Sequence, residues 1–135
     1  MDKEIALIGY SGHAYVVAEV LKSQEKKVTY YCEPKPRNDN PFEIIYLGDE
    51  SKNEIIDRLQ DCDYVIATGD NFTRQKIFNE LTKKLHKPIN AIHANANVSP
   101  SAKLGDGVVV GAQSAINALT EVGDGVICNT GCVIE

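Results

Sequence analysis

The sequence predicts a Rossmann-like α/β domain with a small parallel sheet, followed by the start of a left-handed parallel β-helix. Two observations support this fold class. In the first part, short apolar runs alternate with amphipathic segments at helical spacing, which is typical of a parallel sheet covered by helices. From residue 92 onward, an apolar residue recurs at every sixth position. We expect two domains, 1–88 and 89–135, with an incomplete set of hexapeptide repeats in the second.

The six-residue repeat is the more specific signal, because three hexapeptides form one triangular coil of such a helix. Repeats of this kind mark solenoids, in which each unit buries its apolar face by stacking on the next. We expect each lead residue to point into a narrow bore, beside the small residue four positions later. A glycine or asparagine just after the lead residue is expected to adopt positive φ at a corner. A β-sandwich, the alternative, has wider and more variable strand spacing. The lead residues are Ile92, Val98, Leu104, Val110, Ile116, Val122, Cys128 and Ile134, and the small residues are Ala96, Ala102, Val108, Ser114, Thr120, Val126 and Cys132.

The first part is expected to contain four strands and three helices. Ser51 is expected to cap the second helix, with Glu54 at capping-box spacing. The third helix is expected to turn Ile77, Phe78 and Leu81 inward, together with Leu85. The expected strands are residues 4–9, 28–32, 44–48 and 63–67, and the expected helices are 14–21, 51–59 and 73–85.

Composition excludes several classes of protein. The net charge of −5 argues against a nucleic-acid-binding surface, and no apolar run is long enough for a membrane span. The N-terminus lacks the layout of a secretory signal. The four cysteines form no C-x-x-C pair, and Cys128 and Cys132 fall at inward positions of the repeat. We therefore expect a reduced, cytoplasmic protein with no metal site.

Three segments are expected to meet beyond the carboxyl ends of the strands, where parallel α/β sheets bind ligands. They are residues 9–13, 33–35 and 69–71. The first presents backbone N–H groups at the start of a helix, a natural seat for a phosphate. It reads G-x-x-G, so a tight turn that needs two glycines is the structural alternative. Glu33 is placed to hold a ribose or base edge, and a solvated loop carboxylate is its alternative.

The order of these motifs resembles the hexapeptide-repeat sugar acetyltransferases that act on sialic acid or on UDP-4-amino sugars in pilin and protein glycosylation. The resemblance covers the whole chain. It implies acetyl-CoA as co-substrate and N-acetylation of a nucleotide-linked amino sugar, or O-acetylation of sialic acid. It also implies a homotrimer with acetyl-CoA between neighbouring β-helices. The matching segments are Gly9-Tyr10-Ser11-Gly12-His13, Ala67-Thr68-Gly69-Asp70-Asn71-x-x-Arg74, Ile92–Pro100 and the hexapeptides.

The resemblance also implies roles for individual residues. Asn129 is implied to line the acetyl site. The family usually has two aspartates after the second strand, where this chain has Cys32-Glu33-Pro34-Lys35. For Arg74 a structural role at the start of a helix is the alternative, and for His13 it is packing on the sheet end. The residues implied to bind substrate are Gly9, Ser11, Gly12, His13, Glu33, Lys35, Gly69, Asp70, Asn71 and Arg74.

The general base of this family is a histidine in a phrase resembling N-x-x-x-V-I-E-H-[DE]. This chain reads Asn129-Thr130-Gly131-Cys132-Val133-Ile134-Glu135, so the base is expected immediately after Glu135. We therefore expect the 135-residue polypeptide to bind nucleotide-sugar and to be inactive as a transferase. A non-catalytic nucleotide-sugar-binding module is the alternative. A β-helix carbonic anhydrase needs three placed histidines where only His93 lies near a coil, and a Rossmann dehydrogenase leaves the hexapeptides without a role.

Overall fold

The first part folds as a four-stranded parallel sheet between two helical layers. The structure is a computed structural model of the protein, and it describes residues 2–135. The strand order is β3-β2-β1-β4, and every pairing is parallel. The strands are β1 Ile5–Ile8, β2 Val28–Cys32, β3 Ile45–Gly48 and β4 Asp63–Ile66, and the helices are α1 Gly12–Ser23, α2 Asn53–Leu59 and α3 Asn71–Leu81.

Alternate residues of β1 enter two separate cores. Ile5 and Leu7 pack with α1 on one face, whereas Ala6 and Ile8 pack with α2 and α3 on the other. All four residues are buried, as expected for a central strand of a parallel sheet covered on both faces. The predicted Rossmann-like domain is confirmed.

The second part is a stack of two-residue strands that forms the start of a parallel β-helix. The strands lie in three parallel stacks, β5-β8-β11, β6-β9-β12 and β7-β10. Paired residues are one coil of three hexapeptides apart, as where Ile127 lies opposite Val109. The strands are β5 Ala91–Ile92, β6 Asn97–Val98, β7 Lys103–Leu104, β8 Val109–Val110, β9 Ala115–Ile116, β10 Glu121–Val122, β11 Ile127–Cys128 and β12 Val133–Ile134.

The bore of the β-helix is filled as the repeat predicted. All eight lead residues belong to one hydrophobic cluster, together with five of the small residues. Ser114 is also buried, and its hydroxyl donates to the carbonyl of Asn129 at 2.9 Å. The prediction that both positions of the hexapeptide point inward is confirmed.

The prediction that positive φ falls just after the lead residue is wrong. Positive φ instead occurs three residues after it, at Gly107, Gln113, Leu119, Gly125 and Gly131. Two of the three glycines just after a lead residue have a different cause. A Cβ at Gly105 would lie 2.7 Å from the backbone N of Asp124, and a Cβ at Gly111 would lie 2.7 Å from that of Thr130. These glycines are therefore explained by the close approach of the next coil.

The second helix begins later than predicted. Ser51 does not cap it: the N-cap is Lys52, without a side-chain cap bond, and α2 begins at Asn53. The cause is a turn, in which the Asp49 carboxylate accepts from Ser51 N at 2.8 Å and the Asp49 carbonyl accepts from Lys52 N at 3.0 Å. The predicted capping box is therefore wrong.

The third helix is shifted toward the N-terminus of the chain. The Asp70 carboxylate caps it by accepting from Thr73 N at 2.8 Å, so α3 begins at Asn71. It ends at Leu81, where the Thr82 hydroxyl donates to the carbonyl of Phe78 at 2.7 Å. The four residues predicted to face inward pack in the core between α2, α3 and the sheet, as predicted.

The two parts share a core at their junction. Helix α1 lies against the β5-β8-β11 stack, and Ala91 and Val109 are buried in the same cluster as its apolar residues. Side chains at the end of α1 also bond the first coil, with Gln24 accepting from Ile92 N at 3.1 Å and Ser23 from Ala94 N at 3.0 Å. The boundary at residue 88 stays a prediction.

The four cysteines are free thiols, and Cys128 and Cys132 both contact the bore. Burial raises the pKa of the Cys128 thiol to about 11. No cluster of residues suited to holding a metal ion occurs between residues 2 and 135. Within the same range, no helix combines the length and the apolar character that crossing a bilayer requires.

Replacing Ile116 with alanine should empty part of the bore. Ile116 is 1% exposed, so we expect the free energy of unfolding in urea to fall by about 2–5 kcal/mol. Val133 is 64% exposed, so Val133→Ala should change the free energy of unfolding by less than about 0.5 kcal/mol. Equal effects of the two substitutions would contradict the bore assignment.

Candidate functional site

The three segments predicted to form a site meet at the carboxyl edge of the sheet. Gly9 N donates to the carbonyl of Cys32 at 2.9 Å, and Tyr10 N donates to the Glu33 carboxylate at 2.6 Å. A Cβ on Gly69 would lie 3.2 Å from Cβ of His13. The turn after β1 therefore touches both the segment after β2 and the segment after β4.

The two glycines of the G-x-x-G turn have different reasons to be glycine. Gly9 has a φ of +98°, and a Cβ there would lie 2.6 Å from the Thr68 hydroxyl, so the fold requires it. Gly12 is the exposed first residue of α1, and a Cβ there would meet nothing within 4 Å. The tight-turn alternative therefore accounts for Gly9 and leaves Gly12 without a structural cause.

Glu33 is half-buried and holds the turn. Besides the bond from Tyr10 N, its carbonyl accepts from the Tyr46 hydroxyl at 2.9 Å. It is therefore not a freely solvated carboxylate. Lys35, two residues on, is exposed and forms neither a side-chain hydrogen bond nor an ion pair with any part of the chain that the structure describes.

Tyrosine side chains anchor the loop that follows Glu33, which sequence reasoning missed. The Tyr10 hydroxyl donates to Asn40 Oδ1 at 2.8 Å and accepts from Phe42 N at 3.1 Å. The Tyr31 hydroxyl accepts from Arg37 N at 2.9 Å. Tyr10 and Tyr31 are buried, and their rings stack at 4.5 Å. These bonds tie the loop to side chains near the carboxyl ends of β1 and β2.

A cleft of about 780 Å³ opens from this edge and runs between α3 and the β-helix. Five of the predicted residues line it, namely His13, Gly69, Asn71, Arg74 and Asn129. No motif predicted the other lining residues, because they come from a helix face and a coil that only folding brings together. They are Gln75, Phe78, Asn79, Asp124, Gly125, Val126 and Ile127.

His13 is half-buried at the end of the cleft nearest the sheet. Burial lowers the pKa of its imidazole, and the nearby Arg74 cation lowers that pKa further. Its Nε2 is buried and has no hydrogen-bond partner among residues 2–135. A neutral ring with a free nitrogen suits a hydrogen bond to a hydroxyl, an amine or a phosphate oxygen of a ligand.

Asp70 and Arg74 both serve the local structure. The Asp70 carboxylate accepts from Thr73 N and from the Thr73 hydroxyl, and these bonds lower its pKa. The Arg74 side chain donates to the carbonyls of Thr68 and Gly69 at 3.3 and 3.0 Å, and to Asn71 Oδ1 at 2.7 Å. These contacts fix the start of α3 beside the turn of the candidate site.

Asn129 lies where the cleft meets the β-helix. It also lines a smaller recess of about 220 Å³ that it shares with His13, Val16 and Thr130. The other two histidines lie outside both spaces. His86 packs edge-on against Tyr64, with ring centroids 5.4 Å apart, and His93 accepts from Asn95 N at 3.1 Å.

Residues 4–81 match the family of the PglD N-terminal domain, which accounts for more than half of the chain. The chain belongs to that family. It is also 29% identical over 110 residues to a UDP-N-acetylbacillosamine N-acetyltransferase of Bacillus subtilis, an alignment that covers 80% of this chain and 51% of the relative. The chain thus spans about half the length of that relative.

Two solved structures of similar fold carry ligands. Perosamine N-acetyltransferase from Caulobacter crescentus, in complex with CoA and GDP-perosamine, superposes with a TM-score of 0.86 at 36% identity, over 97% of this chain and 62% of its own. The acetyltransferase domain of PglB from Neisseria gonorrhoeae, in complex with acetyl coenzyme A, superposes with a TM-score of 0.82 at 26% identity, over 98% of this chain and 67% of its own. The resemblance inferred from the motifs is confirmed: two of these relatives are named as N-acetyltransferases, and the two solved structures hold CoA or acetyl coenzyme A.

The imidazole of His13 should titrate below its ordinary pKa of 6.5, since burial and Arg74 both disfavour its charged form. The check is an NMR pH titration of the ring signals, assigned by their loss in His13→Gln. A depressed pKa contributes stability that is present above pH 6.5 and lost as pH falls through the folded value. Wild type should therefore lose more stability than His13→Gln between pH 7 and 5, and titration at or above 6.5 would refute the assignment.

Proposed function

We propose that this chain is the nucleotide-sugar-binding part of an acetyl-CoA-dependent N-acetyltransferase that acts on a nucleotide-linked amino sugar. The observation that supports the proposal is that an uncapped helix start and a cleft lie side by side. The open start of α1 lies at the carboxyl edge of the sheet, and the cleft beside it leads to the β-helix at Asn129. Two of the solved relatives hold CoA or acetyl coenzyme A, and one of them holds a nucleotide sugar as well.

The diphosphate is proposed to bind at the start of α1. The first N–H groups of a helix have no partners within the helix and attract anions. Here the first bonded amide is Tyr15 N, which donates to the carbonyl of Ser11, and the Ser11 side chain makes no cap bond. The amides of Ser11, Gly12 and His13 are thus the proposed phosphate ligands, and the bare Cα of Gly12 leaves them room.

The two ends of the substrate are proposed to lie on opposite sides of this turn. The nucleoside lies toward Glu33 and Lys35, beside the loop that Tyr10 and Tyr31 hold in place. The amino sugar lies in the cleft, near His13, Asn71 and Gly69. The cleft is rich in neutral amide side chains, which suit sugar hydroxyls and an amine. We favour N-acetylation over O-acetylation of sialic acid because the named relatives are N-acetyltransferases.

The acetyl group is proposed to arrive at the β-helix end of the cleft, beside Asn129, with acetyl-CoA between neighbouring β-helices of a homotrimer. Transfer then proceeds directly: the sugar amine attacks the thioester carbonyl, a general base takes its proton, and the CoA thiolate leaves. Within residues 2–135, His13 is the one histidine that lines the cleft, and it lies at the nucleotide end. We therefore propose that residues 2–135 hold the substrate and that none of their three histidines is the general base.

Gly12→Ala should weaken nucleotide-sugar binding without unfolding the protein. The added methyl group meets no protein atom, so stability is kept, but it intrudes on the proposed phosphate seat. We expect the Kd for a GDP- or UDP-linked amino sugar, measured by calorimetry, to rise about tenfold or more. Gly123→Ala, which also meets nothing within 4 Å, is the matched control. Wild-type affinity in Gly12→Ala would rule out this seat.

The 135-residue polypeptide should bind the nucleotide sugar and still fail to acetylate it. The assay mixes polypeptide, acetyl-CoA and GDP- or UDP-linked amino sugars, and follows released CoA with a thiol reagent and product by mass spectrometry. A non-catalytic binding module and a transferase part without its base give the same result here. Turnover at ordinary enzymatic rates would show that a residue of this polypeptide serves as the base and would overturn that proposal.

A further inference from the structure

Arg74 connects the nucleotide-sugar edge of the sheet to the β-helix. Besides its three bonds at the start of α3, its Nε donates to the carbonyl of Gly125 at 2.8 Å. The residue is 9% exposed, and the bond to Gly125 joins positions 51 residues apart. One guanidinium thus bonds the segment after β4, the first turn of α3 and a corner of the β-helix.

The acceptors around Arg74 are unusual for a buried cation. They are three backbone carbonyls and one amide oxygen, and the structure pairs the guanidinium with no carboxylate among residues 2–135. Burial lowers its pKa, with the charge of Asp70 acting in the opposite direction. A buried charge without a directly paired carboxylate is costly, so packing alone is a poor reason to retain it.

The geometry also limits what Arg74 offers a ligand. A guanidinium carries five N–H donors in a fixed fork, and the four bonds of Arg74 leave one donor without a protein acceptor. A side chain used in this way does not supply the paired donors with which arginine binds phosphate. Its fork is instead directed at groups of the protein.

The corner that Arg74 holds belongs to the wall of the cleft. Gly125 has a φ of +68°, and its N–H donates to the carbonyl of Asp106 in the previous coil at 2.9 Å. Asp124, Val126 and Ile127 on either side of it line the cleft. A displacement of the Gly125 carbonyl therefore moves the wall that faces His13 and Asn71.

We infer that Arg74 is a positioning residue that sets the separation between the sugar-binding edge at Gly69 and the β-helix wall at Gly125, and that it does not bind the diphosphate. The inference rests on the proposed function for the identity of the ligand. Its structural part, the tie across the cleft, stands on the four hydrogen bonds alone.

The ligand-free test is hydrogen exchange of the Gly125 backbone amide by NMR, because this amide donates to the carbonyl of Asp106 and so is protected in the wild type. Arg74→Gln removes the charge and the fork, and Arg74→Lys keeps the charge alone. Both should speed exchange at the Gly125 amide about tenfold or more relative to wild type. Lys76→Ala, an exposed change on the same helix, should not. If Arg74→Gln does not fold, Arg74→Lys is judged by the same criterion, and unchanged exchange overturns the inference.

The ligand test compares a free nucleoside diphosphate with the same nucleotide carrying an amino sugar, by calorimetry. If Arg74 has a positioning role, Arg74→Gln binds free GDP or UDP with the wild-type Kd. The gain in affinity that the sugar adds is then about fivefold or more smaller in Arg74→Gln than in wild type. A fall in affinity for the free diphosphate itself would show direct phosphate binding and overturn the inference. If wild type binds neither ligand, the proposed function fails, and the exchange experiment alone decides the role of Arg74.

Discussion

Helix α1 is buried from two sides, and the position of the candidate site follows from that packing. One side of the helix lies on the sheet, while another lies against the β5-β8-β11 stack through Ala91 and Val109. Both contacts are apolar and belong to one buried cluster, and such close-packed interiors resist displacement of a helix. Its first residues, Gly12 and His13, are consequently held where the sheet edge, α3 and the third coil meet. The cleft therefore lies at the junction of the two architectures, with His13 as its contribution from α1.

The polar groups at this junction divide into those that build the site and those left free for a ligand. The Glu33 carboxylate holds the turn, the Asp70 carboxylate starts α3, and the Arg74 guanidinium spans the cleft. In contrast, Nε2 of His13 and the first amides of α1 have no protein partner. Polar groups that lack a protein partner, beside others that have one, favour a binding site over a simple packing surface.

Much of this arrangement was predictable because it depends on local chemistry. The hexapeptide register predicted the bore, since a lead residue such as Ile116 must bury its side chain in every coil. The alternation of strands and helices predicted which segments share an edge. Helix starts were less predictable: at Ser51 an earlier turn formed by Asp49 replaced the expected cap, and at Asn71 the carboxylate of Asp70 supplied one. Short polar residues compete for the same backbone groups, so sequence spacing alone does not decide between them.

The sequence by itself determined the two architectures, the family and the turn that carries Gly12 and His13, because each depends on short-range spacing. Only the tertiary structure decided that Gly9 is required by the fold while Gly12 is not, since the distinction depends on what a Cβ would meet. It also decided that Arg74 bonds the β-helix, because its partner Gly125 lies 51 residues away in the sequence. Contacts over such separations follow from how the coils dock on α1, and no local pattern records that.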